Sequence, residues 1–291
     1  MLFRIVPPAP ALRPFVQHYL LVHVRYGGVD PRQAMKPMPP APQQCLYFYP
    51  RGGMRTFHHK EAKFINLPNS ILVGPQVSRL DLHFPAEHLV VCAAFWPGGL
   101  HRLLGVPVTE MLDYSVESRA LLGPAVAEVE ARLAEATSYA AMLAVLEAYL
   151  LRMLRRLRPE AEQPLDRLLS VLLPSGRLGA SLDHLAAEAC LSPRQFERNF
   201  VARVGLSPKL FARIARFDRA FRLKEKLPNL DWLAVAVQCG YYDYRHLVRD
   251  FREFAGVTPP QLLAAETAHA RVAGGAAAHH LPVLGIHPAS P

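Results

Sequence analysis

The sequence predicts an α+β chain of two domains: a β-rich N-terminal half and an all-α C-terminal part. Three observations carry this reading: where the prolines fall, a change of apolar periodicity after Pro124, and a duplication in the last third. With 291 residues and 51% hydrophobic side chains, the chain can bury two cores. Charged residues, at 20%, are too few for wholesale disorder.

Of the 27 prolines, 15 lie within the first 107 residues, in clusters such as Pro7-Pro8 and Pro37 to Pro42. Proline interrupts helices, so this part should be strands and loops. Short β-type runs fit between the breaks: Tyr19 to Tyr26, Leu46 to Tyr49, Ser70 to Val73 and His88 to Trp96. Leu80-Asp81-Leu82-His83-Phe84 alternates apolar and polar, as a half-buried strand does. Many short strands with frequent turns make a barrel or a sandwich.

After Pro124 the period becomes helical, with Val126, Val129 and Leu133 on one stripe. From Ser138 to Leu157 there is no Gly or Pro, and Leu143, Leu146, Leu150, Met153 and Leu157 step by 3, 4, 3 and 4. That is the spacing of a helix–helix seam, open to two readings: packing against the chain's own strands, or a homodimer interface. The charged, proline-bearing stretch Arg155 to Pro164 marks a boundary. The expected domains are residues 1–157, a linker at 158–164 and a helical domain at 165–266. The tail 267–291 is rich in Ala, Gly, His and Pro without period and is expected to be disordered, with His279-His280 an incidental pair.

The duplication lies inside the helical domain. Leu182, Leu185 and Ala186 match Trp232, Val235 and Ala236 at an offset of 50, and Phe196, Arg198, Phe200, Gly205 and Pro208 match Leu247, Arg249, Phe251, Gly256 and Pro259 at an offset of 51. Each copy reads as helix, tight turn, helix. Ser192 is placed to cap the second helix, Pro193 suits its first turn, and Gln195 sits at the capping-box position. Gly205 can adopt the left-handed conformation that ends it. A long helix from Pro208 to about Lys226 joins the copies, with Leu210, Ile214, Phe217 and Phe221 on one face and Lys209, Arg213, Arg216, Arg219 and Lys224 on the other.

The second helix of a helix-turn-helix unit fits the major groove of B-DNA, and a stiff spacer can present two such helices to successive grooves. Arg194 and Arg198 lie four apart, away from Phe196 and Phe200; Arg245 and Arg249 are their counterparts, opposite Leu247 and Phe251. Arginine at such places can bind guanine O6 and N7 bidentately, or a phosphate. The net charge of +9 agrees with an anionic partner but is spread over both halves: residues 181–266 hold 13 Lys+Arg against 10 Asp+Glu.

On these residues the chain resembles a known family. LSPRQFERNF with its Gly205-Leu206-Ser207-Pro208 exit, and CGYYDYRHLVRDFREFAGVTP at the end, are similar to the DNA-binding domain of the AraC/XylS transcription regulators. The resemblance implies that Arg194, Glu197 and Arg198 reach bases from the first unit, and Tyr244, Arg245 and Arg249 from the second. Tyr242 departs from the family pattern, which leaves Asp243 to cap the second reading helix. Less specifically, Leu12-Arg13-Pro14-Phe15-Val16, Gly74-Pro75-Gln76 and Phe95-Trp96-Pro97-Gly98-Gly99-Leu100, followed by Leu103-Leu104-Gly105-Val106-Pro107, resemble the sensor domain of one branch of that family. This implies a cupin-like β-barrel with trailing helices, joined to an all-α domain of two helix-turn-helix units.

The function expected is therefore a DNA-binding transcription regulator controlled by a small-molecule effector or partner at its N-terminal domain. Its partners would be double-stranded DNA, with RNA polymerase and a second copy as further candidates. The alternatives are a cupin enzyme fused to a DNA-binding module and a nucleoid-type binder without effector. Against an enzyme, there is no G-x-S-x-G, P-loop or G-x-G-x-x-G. The histidines and carboxylate that could hold a metal in the barrel, His58, His59, Glu61, His83 and His88, lack the H-x-H spacing, so no cofactor or metal is expected. Cys45, Cys92, Cys190 and Cys239 form no CxxC pair and read as buried thiols. No apolar run reaches the ~18 residues of a membrane span, and the N-terminus has no signal-length apolar stretch, so a cytoplasmic protein is expected.

Overall fold

A computed structural model describes residues 2–26, 35–59, 61–157, 161–175 and 180–272. The strands are β1 (Leu2–Val6), β2 (Val16–Arg25), β3 (Met35–Met38), β4 (Gln44–Arg51), β5 (Arg55–His58), β6 (Lys63–Asn66), β7 (Ser70–Val73), β8 (Leu80–His83), β9 (Glu87–Phe95) and β10 (Ser115–Glu117). They pair antiparallel in two sheets, one in the order β1-β2-β9-β4-β7-β10 and one in the order β3-β8-β5-β6. The barrel expected from the sequence is thus two sheets with no ladder joining them among the described residues. Pro37 lies inside β3, an edge strand, where a missing N–H is tolerated.

The continuous apolar runs of β2 and β9 have a direct cause. Both strands are covered on both faces, which removes the polar alternation of a half-exposed strand. Tyr19, Leu21, Val91 and Ala93 face the trailing helices, whereas Leu20, Val22, Val90 and Cys92 face the second sheet. The helices on the first face are α1 (Gly99–Leu104), α2 (Ser118–Leu122), α3 (Ala125–Glu135) and α4 (Tyr139–Leu157). Leu146 and Leu150 are fully buried in that core with Met153, and Leu143 packs at its edge. Leu143, Leu146, Leu150 and Met153 of the α4 stripe thus pack on the chain's own strands and helices, while the side chain of Leu157 lies outside the described residues.

The helical part comprises α5 (Pro164–Ser175), α6 (Leu182–Glu188), α7 (Pro193–Val204), α8 (Pro208–Lys226), α9 (Trp232–Gln238), α10 (Tyr244–Ala255) and α11 (Pro259–Val272). Their core joins Leu165, Leu169 and Leu172 of α5 to Phe196, Phe200, Phe217, Phe221 and Phe251. Helix α11 runs on to Val272, into the stretch expected to be tail, because its last turns are buried on the N-terminal domain. Ala270 joins the core between the sheets, and His269 lies beside the rings of Tyr26 and Phe84. Glu266, one helical turn earlier, is ion-paired with the buried Lys36 of β3. The expected disorder and the His279-His280 pair otherwise fall beyond 272, outside the described residues, as does part of the linker, 158–160.

Candidate nucleic-acid interface

The two units have the local geometry the sequence implies. Ser192 Oγ accepts from the Gln195 amide, and Gln195 Oε1 accepts from the Ser192 amide at 3.1 Å, a reciprocal capping box at the start of α7. Gly205 ends α7 with φ +83°. Asp243 Oδ1 accepts the His246 amide at 2.8 Å and caps α10, while Tyr242 stands 90% exposed. The hydrogen bonds from His246 hold the Asp243 carboxyl below its ordinary pKa. Gly256 closes α10 with φ +70°.

Phe196 and Phe200 of α7, and Leu247 and Phe251 of α10, are buried. The candidate readers Arg194, Glu197, Arg198, Arg245 and Arg249 are all exposed, and Tyr244 is half-buried. Among the described residues none of these four arginines is held in an ion pair. A groove of about 1080 Å³ between the units is lined by Glu197 of α7, Arg249 of α10, and Lys209 and Arg219 of α8, among others. Arg194, Arg198, Tyr244 and Arg245 lie outside that groove.

The basic face of α8 is largely committed within the fold, unlike the free face the sequence suggests. Arg213 donates to Asp250 Oδ1 at 2.7 Å and to Glu253. Arg216 donates to Asp250 Oδ2 at 3.2 Å and lies over the Tyr241 ring. Lys224 donates to the Pro228 carbonyl and sits over Trp232. Only Lys209 and Arg219 of that face are exposed. Asp250 thus ties α10 to α8 from a position 1% exposed. Helical spacing could have revealed it: Asp250 is three residues after Leu247 and four before Phe254, on the buried stripe.

The N-terminal domain contributes a different feature, a mostly apolar cavity of about 110 Å³ between the sheets. Leu20, Val22 and Ile71 line it from one sheet, Leu80 and Leu82 from the other. Lys36 and His88 are among its polar groups. Burial, with the nearby His23, lowers the His88 pKa to about 4, so the ring is neutral. Asp81, expected to point outward, is 3% exposed beneath Arg79 and His59. His58 is hydrogen-bonded to the Thr56 hydroxyl instead. Three of the four cysteines are buried, but Cys190 is exposed. No described helix is long and apolar enough to cross a membrane.

Residues 185–265 match the family model described as a helix-turn-helix domain, and residues 4–117 match that of a domain of unknown function, DUF6597. No curated protein matches the chain. Among solved structures, ToxT from Vibrio cholerae O395 is 12% identical, with 85% of this chain and 97% of that chain covered and a TM-score of 0.46. ToxT of Vibrio cholerae strain SCE256 with unsaturated fatty acid bound is also 12% identical, covering 84% and 94% with a TM-score of 0.45. A DNA-binding transcriptional dual regulator from Escherichia coli K-12 is 22% identical, covering 37% of this chain and 94% of that one with a TM-score of 0.31.

Proposed function

We propose that the protein is a sequence-specific transcription regulator of the AraC type in which α7 and α10 enter two successive major grooves, a reading supported by the match of residues 185–265 to a helix-turn-helix family model. The observation that carries this is the matched placement of exposed, unpaired arginines on both second helices, over buried aromatic stripes. Arg194, Glu197 and Arg198 read one sub-site, and Tyr244, Arg245 and Arg249 the other. Lys209 and Arg219, with Lys226 at the helix end, are exposed cations of α8 that can meet phosphates. The reader begins near residue 165 and closes with α11. Residues 1–157 form the sensor, and an effector in the cavity between its sheets changes how the two domains dock. The role is regulatory rather than enzymatic, is exercised in the cytoplasm, and leaves room for RNA polymerase or a second copy as partner.

Selection of bound sequences from a random duplex pool by the full chain tests the proposal. The expected result is an enriched site of two short sub-sites on one face of the duplex. Retention without enrichment of any sequence would make the protein a non-specific binder and overturn it.

A further inference from the structure

The Gly74-Pro75-Gln76 stretch continues to Arg79 and joins β7 to β8. This one loop touches both reading units. Pro75 is buried against Gly205 at the end of α7, so closely that a Cβ at Gly205 would lie 2.9 Å from the proline ring. Val77 packs on the helical core. The Arg79 amide donates to the carbonyl of Phe254, in the last turn of α10, at 3.1 Å. Gln44, at the start of β4 and 1% exposed, adds a second tether by donating to the Val204 carbonyl of α7 at 3.0 Å.

One side chain, that of Asp113, takes three hydrogen bonds from the loop. Asp113 Oδ1 accepts the amides of Val77 at 2.7 Å and Ser78 at 3.0 Å, and Oδ2 accepts Ser78 Oγ at 2.8 Å. The Asp113 amide donates to the Pro75 carbonyl at 3.0 Å. Asp113 does this from φ +60°, a conformation unfavourable for a residue with a Cβ and kept where the surroundings over-determine it. Gly74 approaches Met111 so closely that a Cβ would lie 2.5 Å from its carbonyl oxygen, so the base of the loop is wedged as well.

We propose that the 74–79 loop is a splint that fixes the spacing between α7 and α10, and that Asp113 is the positioning residue that holds the splint in shape. Helix α8 sets the connection between the units; the splint closes the bracket on the sensor side. The strands it joins, β7 and β8, carry Ile71, Val73, Leu80 and Leu82 into the wall of the inter-sheet cavity, so occupancy of that cavity reaches the reading helices through this loop. The geometry stands by itself, but its consequence for DNA rests on the function proposed above.

The test uses the full chain with Cys190→Ser, Ala202→Cys and Arg252→Cys, which place one spin label on each reading helix at exposed positions outside the proposed reading set. Double electron–electron resonance should give a narrow distance distribution in this parent. It should broaden at least about twofold in Asp113→Ala and stay narrow in Asp113→Asn, which keeps the acceptor for both loop amides. An unchanged distribution in Asp113→Ala would overturn the proposal, because α8 alone would then set the spacing. If Asp113→Ala does not fold in a circular dichroism melt, Pro75→Ala carries the same expectation and the same contrary result. In a second arm, sub-sites shifted by one base pair should weaken parent binding about tenfold and Asp113→Ala binding less than about threefold. Equal discrimination by both would also overturn the splint. Broadening together with no specific DNA binding by the parent would leave the splint standing and remove the DNA-reading function instead.

Discussion

Cys190 and Gly240 hold the same place in the two copies, at the turn between the helices, and both have positive φ, +56° and +78°. A glycine adopts that conformation without steric cost, whereas a residue with a Cβ does not. Cys190→Gly should therefore stabilise the protein by about 0.5–1 kcal/mol, net of the extra chain entropy glycine loses on folding, and Gly240→Ala should destabilise it by a similar amount. Denaturant melts decide this, and a destabilised Cys190→Gly would show that the thiol makes contacts that outweigh the strain. On the reading face, Arg245 is exposed and has no ion pair among the described residues. If it reads a guanine bidentately, Arg245→Ala should cost about 1–3 kcal/mol at the selected site and relax preference at one base position. Competition with single-base site variants separates the roles, since equal weakening on every variant would make Arg245 a phosphate contact.

At the scale of elements, α8 shows how packing reassigns what helical periodicity proposes. Its apolar face was legible: Ile214, Phe217 and Phe221 are fully buried. Its basic face was misread, because a helical wheel shows which side a residue is on and not whether another helix offers it a carboxylate. Arg216→Ala should lower stability by about 1–2 kcal/mol through loss of the Asp250 bond and the stacking on Tyr241, and should leave the salt dependence of DNA binding unchanged. A fall of about one unit in the log–log salt slope would instead mark Arg216 as a phosphate contact. The caps of α7 and the turn glycines were legible because each rests on a few adjacent residues of fixed chemistry, such as Ser192 with Gln195 and Gly205. Strands β2 and β9 were legible as continuous apolar runs. Strands β5 and β6 were not, because RTFH and KFIN carry mixed polarity over four residues and leave Phe64 half exposed. The destination of the α4 stripe and of the last turns of α11 was hidden too, because a buried face does not name its partner.

At the scale of the whole molecule, the β-rich part and the helical part are joined by more than a linker. Gln44, Arg79 and Lys36 of the sensor reach α7, α10 and α11 respectively, and Asp166 of α5 pairs with Arg203 of α7 and Arg102 of α1. The 74–79 loop contacts both α7 and α10, whereas Gln44 contacts α7 alone. The reader has its own core, so a fragment spanning α5 to α11 should fold and bind DNA unaided. Helix α8 spans Pro208–Lys226, about 28 Å at 1.5 Å per residue, close to the roughly 34 Å between successive major grooves on one face of B-DNA. One chain should thus protect two sub-sites about 10 base pairs apart, without needing a second copy. The most direct test is to insert about five base pairs, half a turn, between the sub-sites of the selected DNA and measure binding of the full chain. Binding should collapse to the affinity of a single sub-site. Binding that tolerates the insertion would mean that only one of the two helix-turn-helix units reads DNA.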